Sequence, residues 1–186
     1  MYSKSQTKVR MIRDSNGDTR HATHIPTISE FSKANELHRS DVKRLIERFC
    51  ALLKRSSDRH DWSKIEEPYR SMFYRDMVAT MEGRMQFTDG EWCRLHYEEL
   101  ERHHLLRHVP DDVDLFDVIE MVCDCVSAGM ARSGEVRPIE IADGVFQKAL
   151  ENTVKILQNE IELTDDEKIT ADPPCVFPAN HPTPCG

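Results

Sequence analysis

The chain has 186 residues, 39% apolar and 31% charged, with a formal net charge of −8. That length suits one domain with a sizeable core, and the acidic balance argues against a surface that coats nucleic acid in general. No run approaches the roughly 20 apolar residues that span a bilayer, and the N-terminal segment lacks the apolar stretch of a secretory signal, so no membrane partner and a cytoplasmic location are expected.

Residues 1–27 are polar, mixed in charge and without periodicity, which predicts a flexible N-terminal arm. His21 and His24 fall there, where a histidine is more often solvated than a ligand. From Ile28 the pattern turns helical, and Val42, Leu45, Ile46, Phe49, Leu52 and Leu53 follow the spacing of one apolar face. His38 shares that stripe one turn earlier, unless Ser40 and Asp41 cap a helix that begins after it. Ser56-Ser57-Asp58 loosens the pattern, and His60-Asp61 follows at the junction.

A second helix is expected over about 66–82, with Tyr69, Met72, Phe73, Met77 and Met81 on its buried side and Gly83 ending it. Thr88-Asp89-Gly90 reads as a turn into a third helix over about 90–107. Trp92, His96, Leu100 and His103 recur there at helical spacing and share a face. Pro110 closes that region, and Asp111 or Asp112 is placed to cap a fourth helix running to about 131, with Glu120 and Asp124 near one face. A fifth helix, after Pro138, carries Ile141, Val145, Phe146, Ala149, Leu150, Val154 and Leu157. The end, DPPCVFPANHPTPCG, is Pro-rich and expected to be extended.

With no strand alternation and no repeat, the expected class is all-α, a bundle of about five to six helices. The division is an arm over 1–27, a helical domain over 28–162 and a tail over 163–186. The six cysteines (Cys50, Cys93, Cys123, Cys125, Cys175 and Cys185) form no CxxC pair. Reduced thiols in a core are the expected reading.

The residues that carry chemistry are His38, His60, Asp61, His96, His103, His104 and Asp124. Imidazole and carboxylate are ligands for Mn, Fe, Co, Ni or Zn, and a site with several of each can hold one or two such ions. On a continuous helix His96 and His103 would sit two turns and about 10 Å apart, too far for one ion but suited to a pair bridged by Asp61. Any one of these histidines taken singly is more often a hydrogen-bonded core residue. Their ordered combination is what carries the argument.

That order resembles the HD-domain superfamily of metal-dependent phosphohydrolases: an early histidine, a His-Asp pair about twenty residues later and a late aspartate. The chain is also similar to an uncharacterised family of bacteria and their phages with the motifs HDxSK, WxxxH leading to HH, and EMxxDxxxAGxAxxG. It reads His60-Asp61-Trp62-Ser63-Lys64, Trp92-Cys93-Arg94-Leu95-His96, His103-His104 and Glu120-Met121-Val122-Cys123-Asp124 through Gly134. Cys125 stands where that family usually has an aromatic residue.

The resemblance implies an HD-like helical fold and a mono- or dinuclear site. His38, His60 and Asp124 would complete one ion's sphere, and His96 with His103 or His104 the second, with Asp61 between them. The implied activity is hydrolysis of a nucleotide or other small phosphate ester, with Asp61 and Lys64 as the catalytic residues. Lys64 would meet the phosphate as a point charge, and Arg132 is a weaker candidate for the same task. Glu120 is expected to support a ligand, whereas Asp117 either orients a ligand histidine or caps its own helix. Trp62 and Trp92 read as core rather than as stacking platforms. Inositol oxygenase and related enzymes reuse this ligand order, so a di-iron oxygenase is the alternative. A non-catalytic helical interaction protein stabilised by metal is the third reading. The tail and a Met-rich stretch (Met72, Met77, Met81, Met85) leave association into oligomers open.

Overall fold

The structure, a computed structural model, describes residues 8–12 and 24–164. Among the described residues there are five α-helices: α1 Ile28–Ser57, α2 Tyr69–Met81, α3 Glu91–Leu95, α4 Leu115–Ser133 and α5 Val145–Asn159. The protein is an all-α bundle with one small sheet. No helix among the described residues is long and apolar enough to cross a membrane.

The first helix is 30 residues long and starts where the apolar pattern starts. Thr27 closes a capping box: its side chain accepts from the Glu30 N–H, while the Thr27 N–H donates to Glu30 Oε2 at 2.8 Å. Ser40 and Asp41 do not begin a new helix, because the Asp41 carboxylate is engaged by Arg44 one turn on. The rod therefore runs unbroken to Ser57, with Ala34 its only residue in the fully buried class. Its C-terminal half packs on α4, where the Phe49 and Phe116 rings lie 4.8 Å apart.

Two expectations fail here. Val9–Ile12 (β1), inside the supposed arm, pairs in parallel with Ile161–Thr164 (β2), from Val9 opposite Ile161 to Ile12 opposite Thr164. Each strand has four residues, too few to show an alternation. The pairing joins the two ends of the chain, which local reading cannot see. Arg48 anchors the same corner by donating from Nε to Glu160 Oε2 at 2.8 Å. Residues 1–7 and 13–23 of the proposed arm and the tail from residue 165, with His21, His181, Cys175 and Cys185, lie outside the described residues. The second failure concerns the thiols: of the described cysteines Cys93 is buried and Cys125 half-buried, while Cys50 and Cys123 are exposed.

The core lies where α4 and α5 meet the loops on either side of them. Leu105, Val113, Val118, Met121, Val145 and Ala149 are buried together, with Cys125, Ile139 and Ile141 packed against them. Asp114, not Asp111 or Asp112, caps α4, accepting from the N–H groups of Phe116 and Asp117. On α2, Met81 is exposed rather than buried, and Asp76 and Ala79 take the inward positions.

The third helix is shorter than its periodicity suggests. It ends at Leu95 and passes into a π-helical turn over His96–Leu100. It begins at Gly90, where a Cβ would fall 2.7 Å from Asp76 Oδ2. That carboxylate needs the space, because it accepts the Trp92 N–H at 2.9 Å and so caps α3 from α2. Replacing Asp76 with Ala is expected to destabilise the protein by about 1–2 kcal/mol, seen as a lower urea midpoint with an unchanged slope. An unaltered midpoint would show that the cap contributes nothing.

Candidate metal centre

His60 and Asp61 follow the end of α1 across a tight turn. Asp61 has φ 55°, in the left-handed region that few L-residues adopt and that aspartate tolerates better than most. From there the chain enters a short 3₁₀ turn over Trp62–Lys64, and the Asp61 carboxylate is left among three imidazoles.

The serine of the HDxSK motif has three bonds to make. Ser63 is fully buried; its hydroxyl shares a 2.8 Å hydrogen bond with His96 Nδ1. Its N–H donates to Glu101 Oε1 at 3.0 Å, and its carbonyl accepts from Trp92 Nε1 at 3.2 Å. The WxxxH motif has an equally local reason: one turn apart, the Trp92 ring stacks on His96 at 4.3 Å and 20°.

The His-His pair reaches the site by a route that no periodicity predicts. After the π-helical turn the chain reverses, so His103 does not lie two turns along a helix from His96. Arg102 locks this reversal to the start of α4, donating to both carboxylate oxygens of Asp117 at 2.9 and 2.8 Å and to Asp112 Oδ1 at 2.8 Å. His104 Nε2 then comes to 2.8 Å from His96 Nε2. Those two atoms either share one proton or both present lone pairs to a cation. The fourth helix contributes Glu120 and Asp124, one turn apart on the side that faces the end of α1.

Three of the histidines are built alike. His60 turns Nδ1 to Glu120 Oε1 at 3.0 Å and Nε2 toward Asp61 Oδ2 at 3.3 Å and Asp124 Oδ1 at 3.8 Å. His96 turns Nδ1 to Ser63 and Nε2 toward Asp61 Oδ1 at 3.5 Å. His103 turns Nδ1 to Glu120 Oε1 at 3.1 Å and Nε2 toward Asp61 Oδ1 at 4.0 Å. One nitrogen held from outside and the other aimed at a common centre is the arrangement of metal-ligating histidines.

Donor atoms of three sets converge within 4.8 Å: His60, Asp61 and His103; Asp61, His96 and His104; His103, His104 and Asp124. Asp61 Oδ1 and His103 Nε2 are buried without a hydrogen-bond partner, and His103 Nδ1 has only the 3.1 Å approach to Glu120 Oε1. Such groups are costly to leave unsatisfied in a protein interior. The donors fit a divalent ion of the Mn-to-Zn series.

The charges are poised for that role. Burial pushes the His96 imidazole down to about 4 and the His104 imidazole down to about 3, so both are neutral at pH 7. Burial alone would raise Glu120, but hydrogen bonding with His103, Ser56 and His60 outweighs it and holds the carboxyl at about 2. Asp61 is likewise raised by burial and lowered more by Lys64, whose ammonium lies directly on Oδ2. His103 is pushed down by burial and raised further by Glu120.

Of the expected site residues, His60, Asp61, His96, His103, His104 and Asp124 come together, and Lys64 stands beside them. Both members of the His-His pair face the cluster, and His103 groups with His60 rather than with His96 alone. His38 is the correction. It is exposed on α1, about five turns and roughly 27 Å along the helix from Ser56, which bonds to Glu120. Because α1 is one straight rod, nothing returns His38 to the centre. Arg132 is exposed and His108 is a surface residue, while His24 pairs with Glu30 at 3.5 Å. Asp117 caps α4 and holds Arg102, so it positions the loop of His103 rather than the imidazole itself. Sequence reasoning missed Ser56, Ser63 and Glu101 as supports. The serine inside HDxSK was the one available signal.

These features define an all-helical protein with a candidate His/Asp metal centre built on the end of α1, the α3–α4 connection and α4. Residues 27–166, from the Thr27 cap through β2, match the family described as "Family of unknown function (DUF5662)", and the chain belongs to it. No curated protein and no solved structure matches the chain.

The depressed imidazoles have a consequence for the metal-free protein. Above pH 6.5 folded and unfolded chains both carry His96 neutral; below it the unfolded chain takes a proton that the folded one refuses until about pH 4. Stability should therefore fall by about 3 kcal/mol for His96 between pH 6.5 and 4. His104 acts in the same direction, and the raised His103 offsets part of the loss. Urea unfolding across that window checks it, and a flat profile would contradict burial of the neutral rings.

Proposed function

We propose that the protein is a metal-dependent phosphohydrolase acting on a nucleotide or another small phosphate ester. The observation that carries this reading is the Asp61 carboxylate: it sits among the imidazoles of His60, His96 and His103 with Oδ1 buried and unpartnered. The sets His60–Asp61–His103 and Asp61–His96–His104 have only Asp61 in common. Asp61 would therefore be the donor common to both sets, with His60 and His103 on one side and His96 and His104 on the other.

Bound there, a divalent ion supplies Lewis acidity toward a phosphoryl oxygen and a water acidified toward neutral pH. The chain's own residues do the rest. Glu120 and Ser63 hold the rings of His60, His103 and His96 so that Nε2 faces the centre. His60 and Asp124, with side chains 31% and 30% exposed, bound the side open to solvent, while His96 and His103 close the back at 2% and 1%. Lys64 is 37% exposed and one ion pair away from an entering phosphate. That neighbouring cation favours a phosphate ester over the substrate of a di-iron oxygenase.

Metal analysis of the purified protein joined to a phosphate-release screen tests the reading. Asp61→Ala is expected to lose bound Mn, Fe, Co, Ni or Zn and all phosphate release, whereas His38→Ala keeps both within about twofold. Undiminished metal content in Asp61→Ala would overturn the metal centre. Oxygen consumption by the iron-loaded protein without phosphate release would replace the hydrolase with an oxygenase.

A further inference from the structure

A groove of about 680 Å³ runs between α1 and α4 and ends on the open side of the cluster, at His60 and Asp124. That volume is in the range of sites for small organic ligands. Leu53 and Cys50 form one wall, Ile119 and Cys123 the other. The polar side chains along it are largely committed elsewhere. Lys54 turns its ammonium to both oxygens of Asp58 at 2.7 and 2.9 Å, leaving its methylene stem toward the groove. Glu120 is bonded to Ser56 and His60. What remains is carbon and sulfur, with the hydroxyls of Ser57 and Ser127 at the margin.

Two groups that recognise nucleotides are missing from this lining. Among the described residues it has no Trp, Tyr or Phe ring to stack a base, His60 being a candidate metal ligand, and no guanidinium to fork a second phosphate. Trp92 is buried against His96 and does not line the groove. An apolar slot opening onto a charged centre suits a ligand with a charged head and an apolar body, because each part then loses water only where something replaces it.

We propose that this groove seats the organic part of the substrate and takes an aliphatic chain, so that the substrates are phosphate monoesters of apolar alcohols rather than nucleotides. The inference rests on reading the cluster as a phosphate-ester site and narrows it. The phosphate would sit at the open edge marked by His60 and Asp124, near Lys64, and the chain would pass Cys123 and extend between Leu53 and Ile119 toward Cys50.

The test uses n-alkylphosphonates, from methyl to octyl, as uncleavable probes of the full-length, Mn-loaded protein. Affinity measured by calorimetry is expected to tighten about threefold per methylene until the groove is filled, with adenosine monophosphate binding more weakly than octylphosphonate. Cys123→Trp, at an exposed position, should flatten that dependence while far-ultraviolet dichroism and metal content stay unchanged. Octylphosphonate should also shield Cys50 and Cys123 from iodoacetamide, read by mass spectrometry.

Equal, metal-dependent affinity for methyl and octyl probes would overturn the groove and leave the phosphate site standing. So would tighter binding of adenosine monophosphate. Thiol protection by octylphosphonate that is indifferent to metal would keep the groove and sink the hydrolase reading. Neither binding nor protection would sink both.

Discussion

The structure turns on one buried charge. The Asp61 carboxylate is drawn below the surface by a left-handed turn, and burial of a lone carboxylate is expensive. Two unit charges about 4 Å apart attract by roughly 4 kcal/mol at the effective dielectric of a protein surface, so the Lys64 ammonium on Oδ2 outweighs the loss of water and keeps Asp61 ionised. The other oxygen faces His96 and His103 and has no hydrogen-bond partner. An ionised carboxylate with one oxygen paired to Lys64 and the other left among imidazoles is what makes this cluster a candidate cation site.

The supports around that charge double as parts of the scaffold. Ser63 joins the turn after Asp61 to α3 and to the π-helical segment through three hydrogen bonds. Arg102 joins the loop of His103-His104 to Asp117, a residue that also caps α4. The fourth helix divides its circumference: Phe116, Val118 and Met121 are buried, while Glu120 and Asp124 point at the site. A substitution that loosens the core would therefore be felt at the ligands. Few of these contacts are local, so the centre and the bundle are stabilised together.

The site is also one-sided. His96 and His103 are enclosed by Trp92, Ser63 and Glu101, whereas His60 and Asp124 reach the solvent side between α1 and α4. Burial makes His96 and His104 poor bases, so both keep a lone pair free at neutral pH, while the Glu120 carboxylate raises His103.

Local physics made a large part of this legible in the residues themselves. The apolar spacing from Ile28, the Gly83 break and the helix around Val145 follow from periodicity and breakers, which act within a turn or two. The ligand types were legible too, because only imidazoles and carboxylates bring such donors together, and HDxSK and WxxxH encode contacts between near neighbours. What the chain does across distance was not. His38 has the right chemistry and the right stripe, but a continuous α1 carries it away from the centre. His103 and His104 arrive by a chain reversal held by Arg102 on Asp117, not by helical periodicity. The β1–β2 pairing closes the ends through four-residue strands that carry no signal alone. In the last two cases the deciding contact joins residues far apart in the chain. Only the folded bundle decides which of the candidate donors face one another.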